Sequence, residues 1–241
     1  LHAREPINPL AFIQRLSGTA ENVYLFCFQP GPVRAFLGAS PERLFKRIGN
    51  RIDSEALAGT CPRGAGTEED LAFENALRTN EKDNREHQIV LKDVIETLSG
   101  FCSEIHADTA PHVLKLAHCQ HLRTPITGIL HRDISDNTLL DALHPTPAVG
   151  GKPKAEALRW ILDKEPFERG IYASPVGWVG SDKAEFCVGI RSGLIRNRTL
   201  NLYTGAGIVP GSDPREEWLE LNTKLAQFMD IISKDHENGN A

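Results

Sequence analysis

The chain has 241 residues, a length that allows one large domain or two small ones, and 40% of its residues are hydrophobic, which is enough for a sizeable core. Its formal net charge of −5 and its lack of Lys- and Arg-rich runs argue against a nucleic-acid-binding surface. No apolar run is long enough to span a membrane, and the five cysteines form no CxxC pair, which favours a reducing compartment such as the cytoplasm.

The first half of the sequence predicts a short helix, an antiparallel meander and two longer helices. Residues 8–18 carry the start and stop signals of the short helix. β-rich runs separated by turns over residues 23–57 predict the meander. Residues 67–100 have the apolar periodicity of helices, and we expect Thr67 and Asp70 to cap the first of them.

Strands and helices follow one another in the second half. In chain order, we expect strands at 112–117 and 121–130, helices at 138–143 and 153–162, and strands at 170–179, 185–192 and 194–205. A last helix is predicted over 214–233, with Ser212 or Asp213 as its cap, and the polar tail 234–241 is expected to fray. Runs of strands interrupted by helix pairs predict an α+β fold.

Two of the predicted helices each carry a pair of acidic residues three positions apart. Asp83 and Glu86 lie near the start of one helix, and Glu217 and Glu220 lie near the start of the last. Residues at i and i+3 share a helix face, so each pair presents two carboxylates in one direction. Facing pairs would supply the oxygen ligands of a divalent cation, whereas taken singly each pair is an ordinary solvated face.

Several segments between the acid pairs have the residue types of a binding site. Glu42 follows a strand in Ser-Pro-Glu-Arg-Leu, and Gly59 lies where a strand ends and a ligand could approach the backbone. His121 begins a strand, and Arg191 ends one with a guanidinium suited to bidentate binding of a carboxylate. The run His-Pro-Thr-Pro-Ala-Val-Gly-Gly over 144–151 is stiff and then flexible.

Together these segments resemble the chorismate-utilising enzymes, and most closely the isochorismate synthases. The resemblance covers residues 37–225 through seven segments in the same order: Ser-Pro-Glu-Arg-Leu, Ala-Leu-Ala-Gly-Thr, Lys-Asp-Asn-Arg-Glu-His, Gln-His-Leu, His-Pro-Thr-Pro-Ala-Val-Gly-Gly, Gly-Ile-Arg-Ser, and Gly-Ala-Gly-Ile-Val with Glu-Trp-Leu-Glu. It implies one catalytic domain over 1–241 with a two-layered β core flanked by helices. It also implies Mg²⁺-dependent isomerisation of chorismate to isochorismate, by addition of water at C2 and loss of the C4 hydroxyl.

The resemblance assigns roles to the candidate residues. Glu86 and Glu220 are expected to bind Mg²⁺ directly, with Asp83 and Glu217 supporting it or acting through water. Glu42 is expected to be the general acid that protonates the departing hydroxyl, against the alternative of a surface acid paired with Arg43.

The remaining assignments concern the substrate. His121 is expected near the ring, in a catalytic or a positioning role. Residues expected to bind the substrate are Gly59, Thr60, Ala148, Tyr172, Arg191, Gly205 and Lys224, of which Arg191 and Tyr172 would hold the enolpyruvyl carboxylate.

Alternatives within and outside the family stay open. Ala56-Leu-Ala-Gly-Thr60 resembles the water-using branch rather than anthranilate or aminodeoxychorismate synthases, and Ala148 stands where salicylate synthases tend to have Thr. A non-catalytic chorismate-binding fragment is the alternative of another class. We expect a cytoplasmic monomer that binds chorismate but neither nucleic acid nor membrane, and that serves menaquinone or siderophore biosynthesis.

One expected residue has no counterpart in the numbered sequence. In isochorismate and salicylate synthases the base that activates water is a lysine on a strand preceding the segment that here reads Leu1-His-Ala-Arg4. We therefore expect residues 1–241 to be the carboxy-terminal, amino-terminally truncated portion of a longer enzyme. Alone they would be nearly inactive, because loss of a general base typically removes a factor of about 10²–10⁴.

Overall fold

A computed structural model describes residues 1–18, 21–132 and 134–238 of the protein. Over these residues the chain forms two antiparallel β-sheets together with helices, so the predicted α+β fold is confirmed. Among the helices in this described portion, none combines the length and the apolar character needed to cross a membrane.

The smaller sheet has four strands in the order β1–β2–β10–β11, and every neighbouring pair is antiparallel. Its strands are β1 (Tyr24–Gly31), β2 (Arg34–Ser40), β10 (Ser192–Arg196) and β11 (Thr199–Tyr203). Helices α1 (Pro9–Ser17) and α7 (Pro214–Asn238) share a hydrophobic core with this sheet, in which the rings of Phe12 and Phe228 stack with centroids 6.1 Å apart. The side chain of Asn8 caps α1, as its start signal predicts.

The larger sheet has the strand order β5–β7–β4–β3–β9–β8, with β6 paired to β7 as well. Its strands are β3 (Arg43–Ile48), β4 (Arg51–Pro62), β5 (Cys102–Ala107), β6 (His112–Lys115), β7 (Cys119–Leu130), β8 (Pro175–Val179) and β9 (Lys183–Val188). Helix α3 (Glu81–Ser99) packs on this sheet through Val90, Val94 and Leu98. The other helices are α2 (Thr67–Thr79), α4 (Asp136–Leu143), α5 (Pro147–Gly150) and α6 (Lys154–Lys164).

The predicted meander over 23–57 is wrong as a single unit. β1 and β2 form a hairpin in the smaller sheet, whereas β3 and β4 form another in the larger sheet. The chain passes between the sheets at Pro41 and Glu42, where Pro41 has no N–H to continue a ladder. The chain returns to the smaller sheet between β9 and β10, which interrupts the predicted strand at 185–192. The predicted strand at 194–205 is instead part of a hairpin formed by β10 and β11.

The predicted cap of α2 is also wrong. Gly66 takes the N-cap position, and Thr67 is already helical. The carboxylate of Asp70 pairs with Arg63 at 2.6 Å and accepts the backbone N–H of Gly64 at 3.1 Å. Asp70 therefore holds the loop before the helix instead of completing a capping box with Thr67.

Several further boundaries differ from the prediction. The last helix is capped by Asp213, which accepts the N–H groups of Arg215 and Glu216, as predicted. It continues to Asn238 instead of ending at 233, and residues 239–241 of the predicted frayed tail lie outside the described residues. β8 begins only at Pro175, and the single turn of α5 is a helix that the sequence did not predict.

Candidate active site

Two chain segments cross between the sheets next to each other and carry Glu42 and Arg191. The carbonyl of Glu42 accepts the N–H of Val188 at the end of β9 (3.1 Å), and the carbonyl of Arg191 accepts the N–H of Ala39 near the end of β2 (3.0 Å). The segment with Glu42 is therefore hydrogen-bonded to β9, the strand that precedes Arg191. The segment with Arg191 is hydrogen-bonded to β2, the strand that precedes Glu42. Gly38 permits this approach, since a Cβ there would lie 2.8 Å from the carbonyl oxygen of Arg191.

Glu42 is a buried carboxyl group that keeps its proton at neutral pH. Burial, reinforced by the charge of Glu55, raises its pKa to about 8, and a 3.3 Å hydrogen bond from the hydroxyl of Thr146 only partly offsets this. The alternative of a surface pair with Arg43 is wrong, because the guanidinium of Arg43 pairs with Glu185 at 3.6 Å. A carboxyl that stays protonated near pH 7 has the property required of a general acid.

His121 and Arg191 are joined by a buried hydrogen bond. Nη2 of Arg191 lies 2.9 Å from Nε2 of His121, and both Nη atoms lie 3.5 Å from Sγ of Cys119. A guanidinium only donates, so Nε2 accepts and the ring proton is on Nδ1, 3.2 Å from both the carbonyl of Gly59 and the hydroxyl of Thr60. Burial and the charge of Arg191 hold the pKa of His121 well below its ordinary value. This geometry favours a positioning role for His121.

The two acid pairs converge around an ammonium group. Nζ of Lys82 lies 2.8 Å from Glu217, 3.8 Å from both Asp83 and Glu86, and 3.9 Å from Glu220. The first two turns of α3 and α7 therefore bring four carboxylates to within 4 Å of one ammonium nitrogen.

This acidic cluster contains less positive than negative charge. Burial raises the pKa of Glu86 to about 7, although Lys224 opposes the shift. Burial also raises the pKa of Asp83, despite the nearby charge of Lys82. Burial acts in the same direction on Glu220, but its ion pair with Lys224 outweighs that effect and its pKa falls below the ordinary value. Additional positive charge at this point would favour the ionised forms of Asp83, Glu86 and Glu220.

The segment that follows β11 closes over the cluster. Lys224, one helical turn after Glu220, donates a 2.9 Å hydrogen bond to the carbonyl of Gly205. The hydroxyl of Tyr172 lies only 2.8 Å from the position that a Cβ on Gly205 would occupy. The ring of Tyr172 stacks on Tyr203 with centroids 5.3 Å apart. Burial raises the pKa of Tyr172 to about 12. Gly205, Tyr172 and Lys224 thus lie together, and their substrate-binding roles stay predictions.

One predicted substrate residue packs against the core, and three residues of the site were not predicted. Ala148 packs against the hydrophobic core of the larger sheet, two positions after Thr146, and its substrate-binding role stays a prediction. Three residues contact the site without a predicted role: Lys82, Cys119 and Thr146. Lys82 precedes Glu86 by four residues, a spacing that indicates an ion pair on a helix, whereas the other two carry no comparable signal.

A cavity of about 300 Å³ lies against the crossing segment that precedes β3. Its lining includes Tyr24, Pro41, Arg43, Glu55 and Arg123. The carboxylate of Glu55 accepts hydrogen bonds from the backbone N–H of Arg43 at 2.9 Å and from Arg123 at 2.7 Å. The cavity therefore borders the carboxylate that helps to raise the pKa of Glu42, but the predicted site residues are not part of its lining.

The four carboxylates have the donor chemistry of a magnesium site. Mg²⁺ prefers oxygen ligands, and Oε2 of Glu217 is buried without a hydrogen-bond partner. In the part of the chain that the structure describes, no three His, Cys, Asp or Glu side chains are close enough together to hold a metal ion. The ammonium of Lys82 lies between the carboxylates instead. The residues fit Mg²⁺ in their donor chemistry, and binding would require Lys82 to move aside and the carboxylates to draw together around the ion.

The two sheets and their shared site define a protein of the chorismate-utilising class. Residues 1–233 match the family described as chorismate binding enzyme, and the chain belongs to that family. It is 42% identical over 233 residues to isochorismate synthase 2, chloroplastic, of Arabidopsis thaliana, covering 96% of this chain and 41% of that protein. It is 40% identical over 228 residues to isochorismate synthase MenF of Bacillus subtilis, covering 94% and 48%.

Solved structures show the same fold. The menaquinone-specific isochorismate synthase MenF from Escherichia coli superposes with a TM-score of 0.88 at 35% identity, covering 96% of this chain and 54% of that one. Component I of anthranilate synthase from Streptococcus pneumoniae superposes with a TM-score of 0.79 at 26% identity, covering 90% and 48%. The chain spans about half the length of the curated relatives it matches.

Proposed function

We propose that the protein is a Mg²⁺-dependent isochorismate synthase, which converts chorismate to isochorismate by adding water at C2 and losing the C4 hydroxyl. One observation carries this proposal: the four carboxylates of α3 and α7 converge close to the buried Glu42. The charge of Lys224 acts on the pKa of Glu86 in this cluster and on the pKa of Glu42. The relatives named isochorismate synthases, which are 33–42% identical over most of the chain, support it.

The residues of this chain have two roles: some bind the substrate, and Glu42 transfers a proton to it. Bound Mg²⁺ would supply positive charge for the acidic residues and for one carboxylate of chorismate. Arg191 donates two N–H groups to the other carboxylate, with Tyr172 alongside and His121 fixing the guanidinium. Glu42 gives its proton to the C4 oxygen, so that the hydroxyl leaves as water. The oxygen of the attacking water forms the C2–O bond, and the ring double bonds shift away from C2 toward C4 as the C4–O bond breaks.

The proton of the attacking water needs a base. The resemblance implies a lysine in that role, to which no residue of the numbered sequence corresponds, and the near inactivity of residues 1–241 by themselves remains a prediction. The cytoplasmic location, the monomeric state and the absence of nucleic-acid or membrane partners are predictions as well. The pathway that the product serves, menaquinone or siderophore biosynthesis, is a prediction as well.

Product analysis of the full-length protein tests the proposal. Chorismate is incubated with MgCl2, with and without ammonium chloride, and the products are separated by chromatography. We expect isochorismate in both incubations and none after addition of EDTA. A product formed only with ammonia, salicylate as the main product, or chorismate that is bound but not consumed would each contradict the proposal.

A further inference from the structure

Lys82 occupies the point on which the candidate metal ligands converge. Its Nζ atom is 2.8 Å from Glu217 and within 4 Å of Asp83, Glu86 and Glu220. The proposed function places a divalent cation at this same point, and the inference below rests on that function. An ammonium group and a metal ion cannot both lie between the same carboxylates.

The charges around Lys82 explain why an ammonium lies there. Four partly buried carboxylates at this separation repel one another, and the low polarity of their surroundings strengthens the repulsion. Lys82 and Lys224 form the ion pairs with this cluster in the described residues, and Lys224 is engaged with Glu220 and the carbonyl of Gly205. Lys82 is therefore the counter-ion that lies between the two acid pairs.

The position of Lys82 allows it to leave. Its side chain is 19% exposed and starts from the first turn of α3, so the flexible stem can carry the ammonium into solvent without unpacking the core. Glu217, its nearest partner, has a second carboxylate oxygen that is buried and without a hydrogen bond. Departure of the ammonium thus leaves carboxylate oxygens available to another cation.

We propose that Lys82 is an internal competitor for the metal, which neutralises the acidic cluster before a divalent cation binds and swings away when it does. Two properties follow. The affinity for Mg²⁺ is lower than the four carboxylates alone would give, because each binding event must displace an ammonium. Monovalent cations are rejected, because Na⁺ or K⁺ would only exchange its single charge for the single charge of Lys82. Mg²⁺ adds a second positive charge to the acidic cluster.

The test measures cation binding in the full-length protein without reference to activity. Lys82→Met is compared with wild type and with Lys92→Met, a control on the same helix whose lysine is 75% exposed and pairs with Glu96 at 3.7 Å. Titration calorimetry with MgCl2 gives the affinity, and thermal unfolding is followed in MgCl2, NaCl and KCl. We expect Lys82→Met to bind Mg²⁺ at least about tenfold more tightly, a shift of about 1.4 kcal/mol.

The unfolding experiment and a charge-conserving variant complete the test. Lys82→Met should unfold at a lower temperature without metal and should gain stability from KCl, whereas wild type and Lys92→Met should not. Lys82→Arg should bind Mg²⁺ as wild type does. Equal or weaker Mg²⁺ binding by Lys82→Met overturns the inference, as does failure of that variant to fold in saturating MgCl2. Wild-type protein that binds no Mg²⁺ would instead refute the proposed function.

Discussion

Nη2 of Arg191 donates a hydrogen bond to Nε2 of His121 over 2.9 Å, so the residue expected to hold the substrate carboxylate is positioned by a neutral ring. A carboxylate in the place of His121 would neutralise Arg191 and compete with the substrate. A neutral imidazole fixes the orientation of the guanidinium and leaves its positive charge available. The burial of both groups strengthens the attraction of Arg191 for an anion.

Replacement of His121 by Ala should therefore weaken substrate binding more than it slows the chemical step. A hydrogen bond to a charged group contributes about 1.5–3 kcal/mol, which corresponds to a rise in KM of about tenfold to a hundredfold. Steady-state kinetics with chorismate checks this, and Cys119→Ala, which removes the weaker 3.5 Å contact with Arg191, should have a much smaller effect. A large fall in kcat at unchanged KM, with loss of one limb of the pH profile, would show that His121 transfers a proton.

Replacement of Glu42 by Gln should abolish the proton donor while keeping its shape. Removal of a general acid typically lowers the rate about 10²–10⁴-fold, and binding of chorismate should change little. Because the acid must be protonated, wild-type activity should fall as the pH rises through the pKa of Glu42, about 8. The pH dependence of kcat/KM measures this limb, which should be absent from the residual activity of Glu42→Gln. If Glu42→Gln retained a fall in kcat/KM at the same pH, that fall would belong to another titrating group.

The same carboxyl group should make stability depend on pH. Between its ordinary pKa of 4.5 and about 8, the unfolded chain has released a proton that folded Glu42 keeps. The folded state then binds more protons, so the free energy of unfolding decreases as the pH rises, by at most about 1.4 kcal/mol per pH unit. The decrease should end above the folded pKa.

Urea unfolding of wild type and Glu42→Gln across this range isolates the effect, because the amide does not titrate. As the pH rises, the unfolding free energy of wild type should fall relative to that of Glu42→Gln. The control Glu68→Gln, at an exposed position of α2, should have the same pH dependence as wild type. Parallel profiles for wild type and Glu42→Gln would contradict the assignment of a raised pKa.

Gly207 should be required for the acidic cluster because it leaves space for a carboxylate. A Cβ at this position would overlap Oε1 of Glu86, so Gly207→Ala must displace Glu86. We expect Mg²⁺ affinity, measured by calorimetry, to fall about tenfold, or about 1.4 kcal/mol. Gly31→Ala serves as the control, since a Cβ there meets nothing within 4 Å. Unchanged Mg²⁺ binding by Gly207→Ala would argue against Glu86 as a ligand.

The sequence predicted the local parts of the site better than its spatial partners. Helix periodicity was sufficient to place Asp83 with Glu86 and Glu217 with Glu220, because these pairs depend only on i, i+3 geometry within one helix. The hydrogen bond from Thr146 to Glu42 joins residues 104 positions apart, and no local pattern encodes such a contact. Lys82 was overlooked because a lysine among acids on a helix has the pattern of a solvated ion pair.

The division into two sheets was equally inaccessible to local patterns. The β-rich runs on either side of Pro41 differ little in composition, yet β2 and β3 belong to different sheets. Arg191 was predicted at the end of a strand, whereas it lies in the segment that crosses back between the sheets with a φ of 48°. Alternation and turn residues indicate where strands begin and end, but the choice of sheet depends on tertiary packing.

The most direct test of the central claim is the fate of an oxygen label. The full-length protein is incubated with chorismate and MgCl2 in ¹⁸O-labelled water, and the isochorismate formed is analysed by mass spectrometry. Addition of solvent water at C2 predicts isochorismate that carries one ¹⁸O atom, formed only with the divalent cation present. Unlabelled isochorismate, or no isochorismate at all, would contradict the account.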